Sequence, residues 1–323
     1  MKHIRLFILL LIVTSCTPFE ASIEQIPAEK TNGPLVFFCP RDDCENALIE
    51  LIDYAKKYIH CAFYDIDLTY LIQNLSAKSH NIDVKIVVDN DNYGAIKGDG
   101  VRKDTSSQYS HNKFCIIDDF IVTTGSFNPT ERGNFYNNNN LVVFYSYYLA
   151  RNYEDEFQEL WNGTFGNGKN VRYPKIKLND FYVENYFCPE DHCSEHIIHE
   201  LNKANKSIYF MTFSFTHEEI ADALLFKDKN FDIKGIFEKR NAGTNSQFER
   251  LKGFGLDIRK DGNSYNMHHK VLIIDNETVI TGSFNPSINA DKKNDENILI
   301  IHNKEIANKF LEEFDYVWNE AEE

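Results

Sequence analysis

Two stretches of the chain decide the fold: HNKFCIID at residues 111–118 and HHKVLIID at residues 268–275. Each begins His-x-Lys, continues as an apolar run and ends in Asp. The sequence Gly-Ser-Phe-Asn-Pro then follows each Asp at the same distance, at 125–129 and at 282–286. A motif repeated with identical internal spacing predicts two copies of one structural unit.

Further repeats extend the two units outward from these motifs. FCPRDDC at 38–44 returns as FCPEDHC at 187–193, and the only tryptophans, Trp161 and Trp318, close equivalent helical patterns. Short apolar runs alternate with amphipathic helical patterns in both halves, which predicts an α/β fold. We expect one lobe at 34–165, a linker at 166–182 and a second lobe at 183–323, in keeping with a length of 323 residues.

The amino terminus has the pattern of an export signal. Lys2 and Arg5 precede an apolar run at 6–13, which is too short to span a bilayer. Val-Thr-Ser-Cys at 13–16 predicts a lipoprotein signal peptide at 1–15, with Cys16 as the lipidated residue. The polar segment 16–33 then serves as a tether. The sequence therefore predicts an exported protein anchored to a membrane, with a secreted protein as the alternative.

The composition limits the choice of substrate. A hydrophobic fraction of 42% excludes a wholly disordered chain. A formal net charge of -15 argues against general attraction to polyanions. Any phosphate-bearing substrate must therefore be met by a local positive pocket.

The repeated block indicates chemistry on a phosphate. Side chains two apart on a strand share a face, so His111 projects with Lys113, and His268 with Lys270. An imidazole can attack phosphorus while an ammonium group neutralises charge on its oxygens. Side chains in each Gly-Ser-Phe-Asn-Pro block can bind the same oxygens; these are Ser126, Asn128, Ser283 and Asn285. We expect two facing half-sites that need neither metal nor cofactor.

The paired blocks resemble the HKD motifs of the phospholipase D superfamily. Each half is similar to the small bacterial HKD endonuclease of that superfamily, a homodimer of single-motif chains. The resemblance implies two duplicated α/β sandwich lobes related by a pseudo-twofold axis around one active site. Since both motifs lie on one chain, a monomer should suffice. The resemblance also implies a covalent phosphohistidine intermediate, and it counts Asp118 and Asp275 among the motif residues, with a supporting role.

An acidic residue downstream of the motif holds the histidine in this superfamily. Glu296 lies 28 residues after His268, whereas Asn139 lies 28 residues after His111. By this spacing we expect Glu296 to orient His268 and Asn139 to orient His111. A carboxylate stabilises an imidazolium, so His268 is predicted to be the more basic of the two. The sequence does not decide which of the two histidines is the nucleophile.

The cysteines form matched pairs. Cys39 with Cys44, and Cys188 with Cys193, are candidates for disulfides in an exported chain. Zinc is the alternative for the second pair, because His192, His196 and His199 lie close to it in sequence. The remaining two cysteines fall in apolar runs and are expected to be buried thiols: Cys61 and Cys115. Four aromatic residues are candidates for lining the cleft: Tyr64, Tyr109, Phe213 and Tyr265.

The resulting functional hypothesis is a phospholipase D-like phosphodiesterase. It would hydrolyse a phosphodiester bond, with phospholipid favoured as substrate because a membrane-anchored enzyme faces headgroups. An extracytoplasmic endonuclease acting on DNA or RNA is the first alternative. A phosphatidyl transferase or synthase, or an inactive binding scaffold, is the second.

Overall fold

The computed structural model describes residues 26–228 and 230–322, so the predicted signal peptide and Cys16 lie outside the described residues. The strands are β1 (Ala28–Glu29), β2 (Leu35–Cys39), β3 (Tyr58–Phe63), β4 (Asp83–Val88), β5 (Val101–Lys103), β6 (Lys113–Ile117), β7 (Ile121–Gly125), β8 (Asn139–Tyr145), β9 (Lys175–Leu178), β10 (Phe181–Cys188), β11 (Ser207–Thr212), β12 (Asp232–Phe237), β13 (Asp257–Lys260), β14 (Lys270–Ile274), β15 (Thr278–Gly282) and β16 (Glu296–His302). The helices are α1 (Cys44–Tyr54), α2 (Thr69–Lys78), α3 (Glu131–Phe135), α4 (Tyr147–Trp161), α5 (Cys193–Lys203), α6 (Glu218–Leu225), α7 (Phe248–Gly253), α8 (Ile288–Lys292) and α9 (Lys304–Glu320).

The strands form two mixed sheets with the same internal order. The first runs β2-β8-β7-β6-β3-β4-β5, and the second runs β1-β9-β10-β16-β15-β14-β11-β12-β13. Strands β3, β4 and β5 pair in parallel, as do β11, β12 and β13, while the other pairings within each repeated unit are antiparallel. The predicted duplication and α/β class are therefore confirmed.

The inner faces of the two sheets share one apolar core. Phe114 and Ile116 of β6 enter it from the first lobe, and Val271 and Ile273 of β14 enter it from the second. Helices α4 and α9 contribute their apolar faces to the same core. Each lobe has a further core on its outer face. Strands β6 and β14 are thus covered on both sides, which explains their continuous apolar sequence.

The expected tether and linker both take part in the second sheet. β1, within the expected tether 16–33, pairs in parallel with β9, within the expected linker 166–182. β9 then pairs with β10, and Ile176 and Leu178 of β9 are buried in the shared core. The edge of a sheet carries unpaired backbone N–H and C=O groups, and the added strands form hydrogen bonds with them. The second sheet therefore begins before residue 183.

Three disulfides form among the described residues: Cys39–Cys44, Cys188–Cys193 and Cys61–Cys115. The expectation of free thiols at Cys61 and Cys115 is wrong, because β3 and β6 are adjacent antiparallel strands that place these residues directly opposite each other. None of the helices formed by residues 26–228 and 230–322 is long and apolar enough to cross a membrane.

The glycine of each Gly-Ser-Phe-Asn-Pro block is required by its backbone. Gly125 has φ 137° and Gly282 has φ 145°, a region that L side chains rarely adopt. A Cβ at these positions would lie 2.4 Å from the carbonyl oxygen of Asn140 and 2.2 Å from that of Asn297, respectively. The glycines let β7 and β15 approach the neighbouring strands at the point where the motif asparagines follow.

Candidate active site

The two motif histidines lie just before β6 and β14, and each is attached to the opposite lobe. The backbone N–H of His111 donates to the carbonyl of Asp295 at 2.9 Å, and that of His268 donates to the carbonyl of Asn138 at 2.9 Å. These exchanged bonds tie the start of each motif strand to the partner lobe. Both histidines consequently face the lobe boundary.

A cavity of about 440 Å³ opens at this boundary. Its lining includes equivalent residues from the two lobes, among them both histidines and both motif asparagines. The lining includes Tyr64, Asp65, Tyr109, His111, Asn128, Arg132, Phe213, His268, Asn285 and Glu296. The half-sites predicted from the repeat therefore share one cavity.

His111 is held by a carboxylate from the other lobe. Its Nδ1 lies 2.7 Å from Oε2 of Glu296, which is the first residue of β16. The expected pairing of Glu296 with His268 is wrong. β16 carries Glu296 to the lobe boundary, where the nearest imidazole belongs to the opposite motif.

His268 is held by an amide in the same crossed manner. Its Nδ1 lies 2.8 Å from Oδ1 of Asn139 and 3.1 Å from the carbonyl oxygen of Ser126. The amide nitrogen of Asn139 donates to the carbonyl of Gly133 at 3.0 Å, which turns its oxygen toward His268. Because both neighbours of Nδ1 are acceptors, this nitrogen carries the proton and Nε2 is free to exchange one.

Burial controls the charges in the site. It lowers the pKa of His111 and of His268 well below the usual value, and the nearby lysines add to this effect. It also raises the pKa of Glu296 to about 8, although Lys113 and Lys270 act in the opposite direction. The prediction that His268 is the more basic histidine loses its basis, since the carboxylate belongs to His111.

The motif lysines lie behind the histidines. Lys113 donates from Nζ to the carbonyl of His111 at 2.6 Å, and Lys270 donates to that of His268 at 2.9 Å. Burial lowers the pKa of Lys113 to about 7, and burial together with Lys113 lowers that of Lys270 well below its usual value. An anion that enters the cavity would favour the charged form of both lysines, so binding of a phosphate and protonation of these groups support each other.

The motif asparagines present unused polar atoms to the cavity. The side-chain oxygens of Asn128 and Asn285 are buried, and no described residue forms a hydrogen bond with them. Buried polar atoms are normally paired, and rotation of each amide by 180° turns its N–H₂ group to this position, from which it can donate to a phosphate oxygen. Their symmetric placement agrees with the predicted role in binding phosphate.

Ser126 and Ser283 do not line the cavity, contrary to expectation. Both are fully buried, and their hydroxyl oxygens accept backbone N–H bonds from Asn140 at 3.0 Å and from Asn297 at 2.9 Å. These hydroxyls join β8 and β16 to the motif loops. They are positioning residues.

Asp118 and Asp275 also lie away from the cavity. They follow the far ends of β6 and β14, about five residues or roughly 16 Å along the strand from the lysines. Asp118 accepts backbone N–H bonds from residues 56–58, and Asp275 from residues 205–207. They therefore lie outside the catalytic set and hold the neighbouring backbone, which fits the supporting role that the resemblance implied.

Three of the four aromatic residues predicted to line the cleft do line the cavity, and the fourth does not. Tyr64 and Phe213 contact His111 and His268 edge to face, at 4.8 and 4.7 Å between ring centroids. They and Tyr109 line the cavity. Tyr265 instead stacks on Tyr136, outside the lining.

A buried polar network behind the site was missed from the sequence. Asn297 donates to Asn112 at 2.7 Å and accepts from Thr124 at 2.9 Å, and the other half repeats this with Asn140, which contacts His269 at 3.1 Å and accepts from Thr281 at 2.9 Å. These bonds cross the lobe boundary. The available signal was the recurrence of Thr and Asn at both equivalent positions, which purely local reasoning passes over.

The geometry supports nucleophilic attack by one histidine with proton exchange at the other. Two imidazoles line one cavity, and neither Nε2 forms a hydrogen bond within the described residues. Two buried lysines lie behind them, and two amides can donate to oxygen. Glu296 offsets the positive charge that a ring of His111 acquires on attacking phosphorus.

The comparisons with known proteins agree with this arrangement. The family described as cardiolipin synthase, PLD-like domain, matches residues 48–161 and 197–318. The chain thus belongs to the phospholipase D superfamily, with its PLD-like domain in two parts. Both HKD motifs fall within the matched residues.

Individual relatives cover one half or both. The phospholipase D of Rickettsia prowazekii is 29% identical over 151 residues, which is 46% of this chain and 74% of that protein. The mitochondrial cardiolipin hydrolase of Xenopus tropicalis is 33% identical over 122 residues, 37% of this chain and 58% of that protein. The structure of phosphatidylserine synthase from Haemophilus influenzae Rd KW20 covers 88% of this chain and 85% of its own, with a TM-score of 0.66 and 14% identity, so it shares the fold of both lobes.

Proposed function

We propose that this protein is a phosphodiesterase that hydrolyses phospholipids through a phosphohistidine on His111. One observation carries the assignment: Glu296 faces His111, whereas the neutral amide of Asn139 faces His268. A phosphorylated imidazole that keeps its Nδ1 proton is positively charged, so it lowers the pKa of the adjacent Glu296 and favours its ionised form. The resulting carboxylate stabilises the cation better than an amide does.

The reaction proceeds in two displacements. Nε2 of His111 attacks phosphorus and forms the P–N bond as the P–O bond to the headgroup alcohol breaks. The negative charge of the bound phosphodiester favours protonation of His268, which then gives its Nε2 proton to the leaving oxygen. Water then attacks phosphorus, His268 takes the water proton, and the P–N bond breaks. An alcohol in place of water would give transfer instead of hydrolysis.

Phospholipid is the favoured substrate class on three grounds. Relatives of the chain carry the names phospholipase D and cardiolipin hydrolase. The chain has a formal charge of -15, which opposes capture of a long polyanion. The amino-terminal pattern ending at Cys16 also supports an exported protein anchored near headgroups, and both motifs lie on one chain, which supports a monomer.

The test is a substrate panel run at several salt concentrations. It compares one phospholipid, one DNA, one RNA and one small diester with wild type, His111→Ala and His268→Ala. We expect phospholipid turnover with weak salt dependence, since a single headgroup releases few counterions. Faster cleavage of DNA or RNA, falling steeply with salt, would instead identify a nuclease.

The nucleophile is tested by trapping. Acid quenching during turnover and peptide mapping should place the phosphoryl group on His111. His268→Ala should still form the intermediate with a substrate whose leaving group needs no proton, whereas His111→Ala should form none. A phosphopeptide containing His268 would refute the assignment.

A further inference from the structure

One wall of the active-site cavity differs between the lobes. Most lining residues recur at equivalent positions, as Asn128 and Asn285 do. The wall from the first lobe has a carboxylate and two phenols where the second lobe has neither. The first-lobe residues are Tyr64, Asp65 and Tyr109, and their equivalents are Phe213, Ser214 and Asn266. Phosphate binding needs only the shared groups, so this difference concerns another part of the substrate.

Asp65 brings an unneutralised carboxylate to the cavity. It is half-buried, and the backbone N–H of Ile66 donates to it. Within residues 26–228 and 230–322, no side chain forms a hydrogen bond or ion pair with its carboxylate. Burial and the nearby Asp67 raise its pKa, while Lys113 acts in the opposite direction. A cation from the substrate would satisfy this group.

The two tyrosines give the same wall an aromatic surface. The ring of Tyr109 stands nearly perpendicular to that of Tyr64, at 78° and 5.5 Å between centroids. Lys113 already lies 5.0 Å from the ring centre of Tyr64, whereas the side chain of Tyr109 is 46% exposed. Aromatic faces attract cations, particularly next to a carboxylate.

We infer that Asp65, Tyr64 and Tyr109 form a subsite for an ammonium group on the substrate's headgroup. The inference rests on the proposed function and adds its preferred substrate: a phosphodiester whose leaving alcohol carries a primary or quaternary amine. The carboxylate pairs with the cation and the ring of Tyr109 packs on it, while the phosphate lies between the histidines.

Two other charged groups line the cavity. Glu296 is engaged by His111, so it is committed to the reaction. Arg132 is exposed on α3, and its second-lobe equivalent is Asn289. An anionic headgroup would contact Arg132 rather than Asp65, which defines the competing outcome.

Soluble glycerophosphodiesters test the subsite without a membrane. The ratio of kcat/KM for glycerophosphoethanolamine to that for glycerophosphoglycerol is measured in wild type, Asp65→Asn and Asp65→Ser. We expect wild type to favour the amine by about tenfold, an effect of the size that a desolvated cation–π and carboxylate contact produces. Both variants should lose this preference, mainly through KM.

Asp91→Asn is the matched control, because Asp91 is exposed in the same lobe and outside the lining. It removes the same charge and should keep the wild-type ratio. Thermal unfolding confirms that each variant is folded, and a ratio taken within one variant is independent of its overall rate.

Three results would overturn the subsite. In the first, Asp65→Asn keeps the same kcat/KM ratio as Asp91→Asn. In the second, wild type prefers glycerophosphoglycerol and Arg132→Gln loses that preference. In the third, a dinucleotide is the best substrate. Cleavage of a small diester that depends on His111 separates these failures from failure of the proposed function. With no diester cleaved, both proposals fall.

Discussion

At the residue scale, the asymmetry of the two histidines is the main feature of the site. The sequence identified His111 and His268 as a pair and identified Glu296 and Asn139 as their partners, but it assigned each partner to the wrong histidine. Spacing along the chain measures position within a lobe. It cannot tell that β8 and β16 deliver Asn139 and Glu296 across the boundary to the other motif.

The pKa values of Lys113 and Glu296 predict how anion binding depends on pH. Burial lowers the pKa of Lys113 to about 7, so its positive charge is lost as pH rises through that value rather than near 10. Burial raises the pKa of Glu296 to about 8, so this side chain becomes negatively charged as the pH rises through that value. Both changes weaken binding of an anion, by up to about tenfold per pH unit for each proton involved.

Calorimetric titration with sulfate, whose charge is constant over this range, measures the effect. We expect its affinity to fall steadily from pH 6.5 to pH 9. Lys113→Arg should delay the first part of the fall, because a guanidinium stays charged. Constant affinity from pH 6.5 to pH 9 in wild type would contradict the charge assignment.

At the element scale, the motif strands β6 and β14 have two differently occupied ends. The catalytic groups lie just before or at the first residue of each strand, while Asp118 and Asp275 follow it and hold the backbone of the neighbouring segment. Asp118 and Asp119 both have positive φ, 55° and 61°, as the tight turn after β6 requires. Apolar runs and motif spacing were enough to predict these strands. The sequence did not show which end of each strand faces the cavity, because this depends on the position of the turn that follows the strand.

The disulfide between β3 and β6 predicts a measurable difference in stability. Cys61–Cys115 spans a sequence separation of 54, and Cys39–Cys44 spans 5. If a disulfide acts by restricting the unfolded chain, the disulfide that closes the longer loop contributes about 2 kcal/mol more to the free energy of unfolding than the other. Replacing Cys61 and Cys115 by Ala should therefore lower the free energy of unfolding more than replacing Cys39 and Cys44.

Denaturant unfolding of the two double variants checks this difference. Each double variant serves as the control for the other, since both remove two sulphur atoms from buried positions. Equal losses, or a larger loss for the short loop, would count against the loop-entropy account.

At the scale of the whole molecule, buried polar bonds fix the two lobes in register. Glu313 of α9 accepts from Nε2 of His269 at 2.9 Å and also pairs with Arg41 of the first lobe. His269 lies between His268 and Lys270, so this contact connects the lobe boundary with the catalytic motif. A core built only from apolar contacts would set the relative position of the lobes less strictly.

Glu313→Gln tests this connection. The substitution keeps the shape but removes a charge that is 1% exposed, and we expect the free energy of unfolding to fall by about 3 kcal/mol. Glu312→Gln, at the adjacent exposed position, is the control and should change little. Equal unfolding midpoints for the two variants would show that the buried pair does not hold the lobes.

The sequence alone determined the duplication, the α/β class and the motif histidines and asparagines that meet at the cavity, because repeats, strand periodicity and motif spacing are local properties of the chain. Only the tertiary structure decided which carboxylate faces which histidine, which cysteines bond across β3 and β6, and which side of the cavity bears Asp65. Those contacts join residues far apart in sequence, so their partners are set by how two sheets pack around a shared core.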